Sequence, residues 1–409
     1  MSYKNIWSQA PTTEVVETPS RFRRGLGKYA VVVSDACNNC LKCVAICPEN
    51  VFRTQGSKLG VPVDHLCLGI QCSKKSNRCI ANCPQNAIKV GYNSSSKALG
   101  DNRWTPELLM SAWHMAETGQ LPKSDLEYRV GATEGGFDKL RFRFPKKPPR
   151  KDLDPESIDT SISLNKRRDG RVDIEIPIPV YGGGMSFGSV SQTTMLSRIR
   201  AFAAWGSFTC TGEGGYPEAL YPFDDHIITQ VATGLFGVKE ETIQRVKIVE
   251  FKYAQGAKPG LGGHLLGSKV TQAVARIRET VPGSSLFSPF PFHSVYSVED
   301  HKKHVDWIKA INTRALVSVK VSTPSDVDMV AIGSFYAGAH IVHLDGSYGG
   351  TGAAPDVAKK NIAMPIEYAI PKVHNFLVNE GVRDQVTLIA SGGIRTAFDI
   401  AKAVALGAD

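Results

Sequence analysis

Cysteines are the residues of this sequence whose number and spacing most clearly suggest chemistry. Of the nine cysteines, eight lie within the first hundred residues, and the ninth, Cys210, stands alone. Four follow the spacing C-x2-C-x2-C-x3-C-P, and they are Cys37, Cys40, Cys43 and Cys47. Four more follow the looser spacing C-x4-C-x6-C-x3-C-P, and they are Cys67, Cys72, Cys79 and Cys83. Thiolates at such short spacings can each bind one iron of a [4Fe-4S] cluster, so the segment predicts two clusters.

The pattern resembles that of two-cluster bacterial ferredoxins, in which the last cysteine of a run binds the cluster of the other run. The resemblance implies one cluster on Cys37, Cys40, Cys43 and Cys83, and a second on Cys67, Cys72, Cys79 and Cys47. Structural zinc and disulfides are the alternatives. Zinc sites normally use two C-x2-C pairs with a longer spacer, and disulfides are disfavoured in the cytoplasm. These loops contain no catalytic residues, so we expect the clusters to transfer electrons to chemistry elsewhere.

From about Asp173 the sequence alternates short apolar runs with glycine or polar loops and helix-length segments. Seven such runs are IPIPVYGG, GSFTCTGE, HIITQVAT, IVEFKYAQ, ALVSVKVS, HIVHLDGS and TLIASGGI. Repetition of this kind predicts an α/β fold, a parallel (β/α)8 TIM barrel whose eighth strand is missing from this chain. An open doubly wound sheet is the alternative, but its G-x-G-x-x-G motif does not follow the first run. Because seven strands leave an unpaired edge, we expect the sequence to be part of a longer protein.

Four segments are predicted. Residues 1–28 form an N-terminal extension, 29–95 a small α+β ferredoxin-like domain, 96–172 a linker, and 173–409 the barrel. The linker contains a predicted helix, TPELLMSAWHMAETG, with a threonine cap, and a basic, proline-rich stretch, RFRFPKKPPRK. A further segment, SLFSPFPFHSVYSVEDHKKH, is expected to be an insertion over the barrel mouth.

Composition limits the classes of partner. The formal net charge is +9, but two clusters and a flavin phosphate would lower it to roughly +3. The basic runs lack interleaved aromatic residues, so no nucleic-acid partner is expected. No apolar run is long enough for a membrane span, and the N-terminus lacks the features of a secretory signal, so a cytoplasmic protein is expected.

Polar and glycine residues follow almost every predicted strand, where the active site of a TIM barrel lies. Glycines there let backbone amides approach a flat ring and a phosphate, and a helix N-terminus after Gly393 favours the same ligand. For any single glycine, a tight turn without a ligand is the alternative. Together the loops predict bound FMN, with Lys320 stabilising the reduced ring. The predicted cofactor residues are Gly184, Met185, Ser186, Thr211, Gln230, Lys252, Lys320, Asp345, Gly349, Gly350, Ser391, Gly392 and Gly393.

Residues 177–409 resemble the FMN-binding synthase domain of glutamate synthase. The resemblance is carried by GGMSFGSVS, TGEGGYPE, AQGAKPGLGGHLLGSKVT, YSVED, SVKVS, LDGSYGGTGAAP, GVRDQV and SGGIRTAFD. The cysteine-rich front end resembles archaeal-type glutamate synthases, whose synthase domain is a separate polypeptide. The resemblance implies that 2-oxoglutarate and ammonia are converted to L-glutamate by reduced FMN. It implies Glu213 and Lys258 as catalytic residues, and Gln255, Lys258, His264 and Arg278 as substrate-binding residues.

Three positions depart from the family pattern, namely Leu235, Leu261 and His264. The chain begins Met-Ser rather than with a catalytic cysteine, so ammonia is expected from a partner glutaminase subunit or from solution. The electron donor is expected to be ferredoxin or an NAD(P)H-oxidising flavoprotein, within a multi-subunit complex. Two other functions remain open, a related FMN enzyme such as an N-methylglutamate synthase, and a non-catalytic electron-transfer subunit.

Overall fold

A computed structural model describes residues 26–69, 72, 78–100, 104–118, 136–146, 154–355, 357–359 and 361–409. Within the described residues, the chain divides into two compact units, one that extends to residue 141 and one of residues 142–409. The predicted N-terminal extension up to residue 25 and residues 147–151 of the basic stretch lie outside the described residues. No helix in the described ranges has the length and apolar character to cross a membrane.

The smaller unit is built on an antiparallel pair of strands, β1 (Tyr29–Val33) and β4 (Ile88–Tyr92). Between them lie the helix α1 (Lys42–Ile46), the hairpin of β2 (Thr54–Gln55) and β3 (Lys58–Leu59), and the helix α2 (Cys79–Asn82). Each short helix ends at a cysteine, α1 at Cys47 and α2 at Cys83. A core of Val31, Val51, Phe52, Leu66 and Ile88 packs against the cysteine side chains.

The predicted linker helix is confirmed as α3 (Pro106–Thr118). Thr105 Oγ1 accepts a hydrogen bond from the Leu108 N–H at 3.5 Å, and proline occupies the first helical position, where its missing N–H costs nothing. Trp113 of this helix packs edge-on against His65, with ring centroids 6.2 Å apart.

The larger unit contains six parallel strands that form part of a TIM-type α/β barrel, which confirms the predicted fold class. Their spatial order is their order along the chain. They are β7 (Thr209–Cys210), β8 (Ile227–Ala232), β9 (Ile248–Lys252), β12 (Leu316–Ser322), β13 (Ile341–Asp345) and β14 (Thr387–Ser391). The accompanying helices are α4 (Gln192–Ala204), α5 (Glu240–Gln244), α6 (Gln272–Arg278), α7 (Val298–Ile311), α8 (Val327–Tyr336), α9 (Ile366–Asn379) and α10 (Ala397–Leu406).

The prediction of a strand at the first of the seven apolar runs is wrong, because this run forms only a single β-bridge. Gly182 pairs in parallel with Thr209. Its N–H donates to Phe208 O at 2.9 Å, and its carbonyl accepts from Cys210 N–H at 2.8 Å. Pro177 and Pro179 precede it, and since proline has no N–H to donate, a longer ladder cannot form there.

The predicted insertion is only partly an insertion. Its first half contributes to a hairpin of β10 (His264–Leu265) and β11 (Leu286–Phe287). Its second half forms the start of the barrel helix α7, which Ser297 caps by accepting the Asp300 N–H at 3.3 Å. The helix-capping sequence S-V-E-D therefore makes the second half of this segment helical, although prolines and aromatic residues precede it.

A hairpin of β5 (Ile162–Ser163) and β6 (Glu175–Ile176) closes the N-terminal end of the barrel. Leu164, Ile174 and Ile176 pack with Ile248 and Leu316 at the starts of the central strands. Because this end is filled with apolar side chains, polar chemistry is confined to the opposite, C-terminal ends of the strands.

We predict that His340, which precedes β13, makes the fold sensitive to acid. It is 0% exposed, its Nδ1 accepts the Val317 N–H at 3.0 Å, and its Nε2 lies 3.0 Å from Asp169 Oδ2. Burial, reinforced by the Lys309 charge, lowers the pKa of His340 from 6.5 to about 4. The unfolded chain therefore binds the proton more tightly, and stability falls as pH drops from 6.5 towards 4, by up to about 3 kcal/mol.

His340→Asn should flatten this pH dependence, because the asparagine side chain does not titrate. Chemical unfolding of both proteins across this pH range measures it. His301, whose pKa burial also lowers to about 4, is present in both proteins and cancels in the difference. Parallel stability curves for the two proteins would contradict the assignment.

Candidate active site

Charged side chains meet where β12 and β13 end. Lys320 is paired with His343 across the two strands, and Lys320 Nζ lies 3.4 Å from Asp345 Oδ2. The Asp345 carboxylate also accepts the Gly256 N–H at 3.0 Å and the Ser391 hydroxyl at 2.6 Å. Burial opposes both charges, yet Asp345 raises the pKa of Lys320 and Lys320 lowers that of Asp345. The pair is therefore ionised although both side chains are buried.

The loops after β13 and β14 approach each other backbone to backbone. Gly346 N–H donates to Ser391 O at 2.9 Å. Gly392 has φ +87°, and a Cβ on it would collide with the Gly346 carbonyl oxygen. Glycine is therefore required at this position. Gly349 lies close to it and to Asp345, and its N–H donates to Gly346 O at 3.2 Å.

The helix after these loops, α10, is capped by its own residues. Thr396 Oγ1 accepts the Asp399 N–H at 3.2 Å, and Asp399 Oδ2 accepts the Arg395 N–H at 3.0 Å. Thr396 rather than a ligand satisfies that first-turn amide, so an anion at this edge would be bound mainly by the glycine loops.

The loops after the Gly182 bridge and β7 form the other side of the site. A Cβ on Gly212 would lie 2.6 Å from Ser186 N, so the segment containing Gly184, Met185 and Ser186 lies directly on the β7 loop. Thr211 is buried beneath it, and Met185 is 38% exposed. The structure thus brings together these predicted cofactor residues with Gln230, which is also buried.

A second charged cluster surrounds Glu213. Its Oε2 lies 3.2 Å from Lys252 Nζ. Burial would raise the pKa of this carboxyl, but Lys252, and then Lys258 and Arg278, lower it below its ordinary value. One carboxylate is therefore surrounded by three cations, a local excess of positive charge.

Arg278 and Lys258 are buried, at 5% and 4% exposure. Arg278 Nη2 donates to Phe187 O at 2.9 Å, while its Nε is a buried atom without a hydrogen-bond partner among the described residues. Lys258 Nζ donates to Gly262 O at 2.6 Å, and burial lowers the pKa of Lys258. A Cβ on Gly214 would collide with the Arg278 guanidinium, which packs directly on this glycine.

Two other predicted substrate residues lie beside this cluster. Gln255 follows β9, and its carbonyl accepts the Lys258 N–H at 3.4 Å. His264 is an exposed residue of the β10–β11 hairpin, with its ring edge-on to Phe287 at 4.9 Å between centroids. Gly263, just before it, is close to Glu213, since a Cβ there would collide with Glu213 Oε1.

Sequence reasoning missed a polar network beneath these clusters. Glu250 and His343 are 0% and 1% exposed, and Glu250 Oε2 lies 2.9 Å from His343 Nδ1. Burial would raise the pKa of Glu250, but His343 and Lys320 lower it to about 2. Cys210, the cysteine that stands alone in the sequence, is buried here, with its Sγ 3.7 Å from Glu250 Oε1. The sequence did contain a signal for this network, since Glu250 lies within the apolar run IVEFK and His343 within the apolar run HIVHLD.

In the smaller unit, four cysteines line one cavity together with Leu41 and Ile88, namely Cys37, Cys40, Cys43 and Cys83. Burial raises the pKa of Cys67 to about 12 and that of Cys79 to about 11, and both thiols also interact electrostatically with Cys47 and Cys72. Backbone N–H groups donate to Cys67 Sγ at 3.4 Å and to Cys83 Sγ at 3.3 Å. Within the described ranges, no group of three or more His, Cys, Asp or Glu residues is placed to hold a single metal ion.

The structure thus defines a class of protein in which a parallel α/β barrel carries a glycine-rich, cationic site at its strand ends. A family model described as the conserved region in glutamate synthase matches residues 138–409. The archaeal glutamate synthase (NADPH) of Methanocaldococcus jannaschii is 35% identical over 410 residues, covering 93% of this chain and 78% of its own length. The chain belongs to the glutamate synthase family.

Two further proteins are similar over shorter portions. The glutamate synthase (NADPH) large chain of Azospirillum brasilense is 39% identical over 232 residues, covering 55% of this chain and 15% of its own length. Among solved structures, a mutant flavocytochrome b2 with benzoylformate aligns with 64% of this chain and 61% of its own, at 13% identity and a TM-score of 0.41.

We predict that Lys252→Met destabilises the protein by about 1–3 kcal/mol at neutral pH, because it leaves the Glu213 carboxylate buried without its nearest cation. In a Glu213→Gln background the same Lys252→Met change should cost much less, because the carboxylate that Lys252 neutralises is absent. Urea unfolding of the single and double variants measures both effects. Lys247→Met is the control, since its partner Asp225 is exposed and such surface pairs contribute under about 1 kcal/mol. An equal cost of Lys252→Met in the wild-type and Glu213→Gln backgrounds would contradict the pairing.

Proposed function

We propose that this chain is the synthase subunit of a glutamate synthase, an FMN- and iron-sulfur-dependent oxidoreductase that makes L-glutamate from 2-oxoglutarate and ammonia. The observation that carries the proposal is the cluster of three cations around Glu213 at the strand ends of the barrel, of which Lys258 and Arg278 are buried and Lys252 is partly buried. Family membership supports the same reaction.

The charge of this cluster suits a dicarboxylate substrate. Glu213 offsets one of the three cations, so the excess of positive charge is about that needed for a dianion such as 2-oxoglutarate. Arg278 has a planar donor fork for a carboxylate, and its buried Nε needs an acceptor. Gln255 and His264 are proposed as further substrate contacts on the basis of the family resemblance.

Two residues can act directly on the reacting groups. The lowered pKa of Glu213 keeps its carboxylate ionised, so its oxygens can accept hydrogen bonds from ammonia and hold its nitrogen towards the 2-oxo carbon. The lowered pKa of Lys258 makes Nζ a better proton donor to the oxygen that leaves the 2-oxo group as water. These roles make Glu213 and Lys258 the proposed catalytic residues.

The strand-end loops suit FMN. The Gly349, Gly392 and Gly393 loops are proposed to hold its phosphate, and Lys320 to lie beside its ring. When bound, FMN supplies the hydride that reduces the imine of 2-oxoglutarate to L-glutamate. The other residues proposed to contact it are Gly184, Met185, Ser186, Thr211, Gln230, Lys252, Asp345, Gly350 and Ser391.

The cysteine-rich unit suits two [4Fe-4S] clusters that supply electrons to FMN. A cubane takes one thiolate on each iron, so its four cysteines need not converge on one point as the ligands of a single ion do. The common cavity of Cys37, Cys40, Cys43 and Cys83 and the mutual interactions of Cys47, Cys67, Cys72 and Cys79 support the crossed ligand sets.

Partners complete the proposed reaction. A glutaminase subunit would supply ammonia, and ferredoxin or an NAD(P)H-oxidising flavoprotein would supply electrons, in a cytoplasmic complex. The family resemblance and the names of the relatives, which specify NADPH, support an assembly of this type.

Anaerobically reconstituted protein should bind FMN, and its reduced flavin should be reoxidised by 2-oxoglutarate plus ammonia. Arg278→Met should raise KM for 2-oxoglutarate by about 10- to 100-fold, because it removes charge-assisted hydrogen bonds. Arg276→Met is the matched control, since Arg276 lies on the same helix but pairs with the exposed Glu218. Reoxidation by methylamine in preference to ammonia would favour an N-methylglutamate synthase. Reduced flavin that 2-oxoglutarate does not reoxidise would instead support a non-catalytic electron-transfer subunit.

Iron content can test the crossed ligand sets. The double variant Cys43→Ala with Cys83→Ala should lose about four irons, because both residues serve one cluster. Cys43→Ala with Cys47→Ala should lose about eight, because these residues serve different clusters. Cys210→Ala should keep all iron. Reversed losses in the two double variants would establish uncrossed sets, and zinc in place of iron would remove the clusters from the proposal.

A further inference from the structure

A chain of buried hydrogen bonds runs beneath the proposed flavin site. His343 Nδ1 lies 2.9 Å from Glu250 Oε2, and His343 Nε2 lies 2.7 Å from Ser391 Oγ. Ser391 Oγ lies in turn 2.6 Å from Asp345 Oδ1, and the other oxygen of Asp345 faces Lys320 Nζ at 3.4 Å. Glu250 and His343 have no role in the reaction proposed above.

Counting protons along this chain gives the charge of His343. The Asp345 carboxylate can only accept hydrogen bonds, so Ser391 donates its single proton to it. The Ser391 oxygen must then accept from His343 Nε2–H. On the other side of the ring, Nδ1 faces the Glu250 carboxylate, which also accepts from Gln230 Nε2 at 2.7 Å and Ser318 Oγ at 3.2 Å. Nδ1 therefore donates as well, and a histidine that donates from both nitrogens is a cation.

The groups around His343 are consistent with this count. The Tyr181 hydroxyl lies 3.0 Å from Nδ1 and can donate to Glu250 Oε2 at 3.5 Å. With His343 protonated, the interior carries two cations, His343 and Lys320, and two anions, Glu250 and Asp345. Without that proton, the site beneath the flavin would carry a net negative charge.

We propose that His343 is a cationic positioning residue which, through Ser391 and Asp345, holds Lys320 and balances the buried charge so that the site favours reduced over oxidised FMN. The inference rests on the proposed function, because it requires that FMN binds at these strand ends. Reduction adds negative charge to the flavin, and removal of a nearby buried cation makes that charge harder to accommodate.

The test is the FMN midpoint potential of the full-chain holoprotein, measured by anaerobic spectroscopic titration. His343→Asn keeps a donor towards Glu250 but removes the charge, and should weaken the preference for reduced FMN about tenfold, a fall of about 30 mV for a two-electron couple. Adding Glu250→Gln removes one negative charge as well and should restore the wild-type potential. If His343 had a purely structural role, the midpoint potential of the double variant would instead depart further from the wild-type value.

His340→Asn is the matched control, since this second buried histidine lies just before β13, three residues from His343, and faces Asp169 instead of the Lys320–Asp345 pair. It should leave the potential unchanged. If His343→Asn cannot be obtained with bound FMN, the single variant Glu250→Gln provides the test. Its FMN midpoint potential should equal or exceed that of the wild type, and a lower potential overturns the proposal. An unchanged potential in His343→Asn also overturns it. Wild-type protein that binds no FMN overturns the proposed function and this inference together.

Discussion

Charges buried at the strand ends of this barrel must be compensated within the protein, because water is not available to solvate them. Lys320 is buried against Asp345, and the partly buried Glu213 is paired with Lys252. Each pair joins side chains from different strands or their loops, so the correct register of the parallel sheet is a condition for the site to exist. A shift of one residue between β12 and β13 would turn Lys320 away from its counter-charge.

The N-terminal end of the barrel contributes mainly to stability, and the C-terminal end carries the polar residues and loops. At the N-terminal end, Leu164 and Ile174 fill the interior with apolar atoms, which need no partner. At the C-terminal end, glycine loops such as that of Gly392 bring backbone amides close together where larger residues would collide. The same architecture thus provides a filled core below and a polar, cationic surface above it.

The charges of the two strand-end clusters differ in a way that fits the two ligands proposed for them. Around Lys320 the charges balance once His343 carries its proton, whereas around Glu213 they do not, since Lys252, Lys258 and Arg278 outnumber one carboxylate. An uncompensated positive cluster attracts a small dianion, while a balanced one beneath a large planar cofactor lets a modest change in charge shift its redox preference.

The sequence by itself determined the class of fold, since continuous apolar runs separated by helices can be buried only as parallel strands. It also indicated most of the strand-end residues, because function in such barrels lies in the loops that follow the strands. Only the tertiary structure decided that Pro177 and Pro179 reduce the first strand to one bridge, that Thr396 caps α10, and that Glu250 meets His343. These outcomes depend on which atoms of distant segments come within hydrogen-bonding distance, and local sequence patterns carry no information about that geometry.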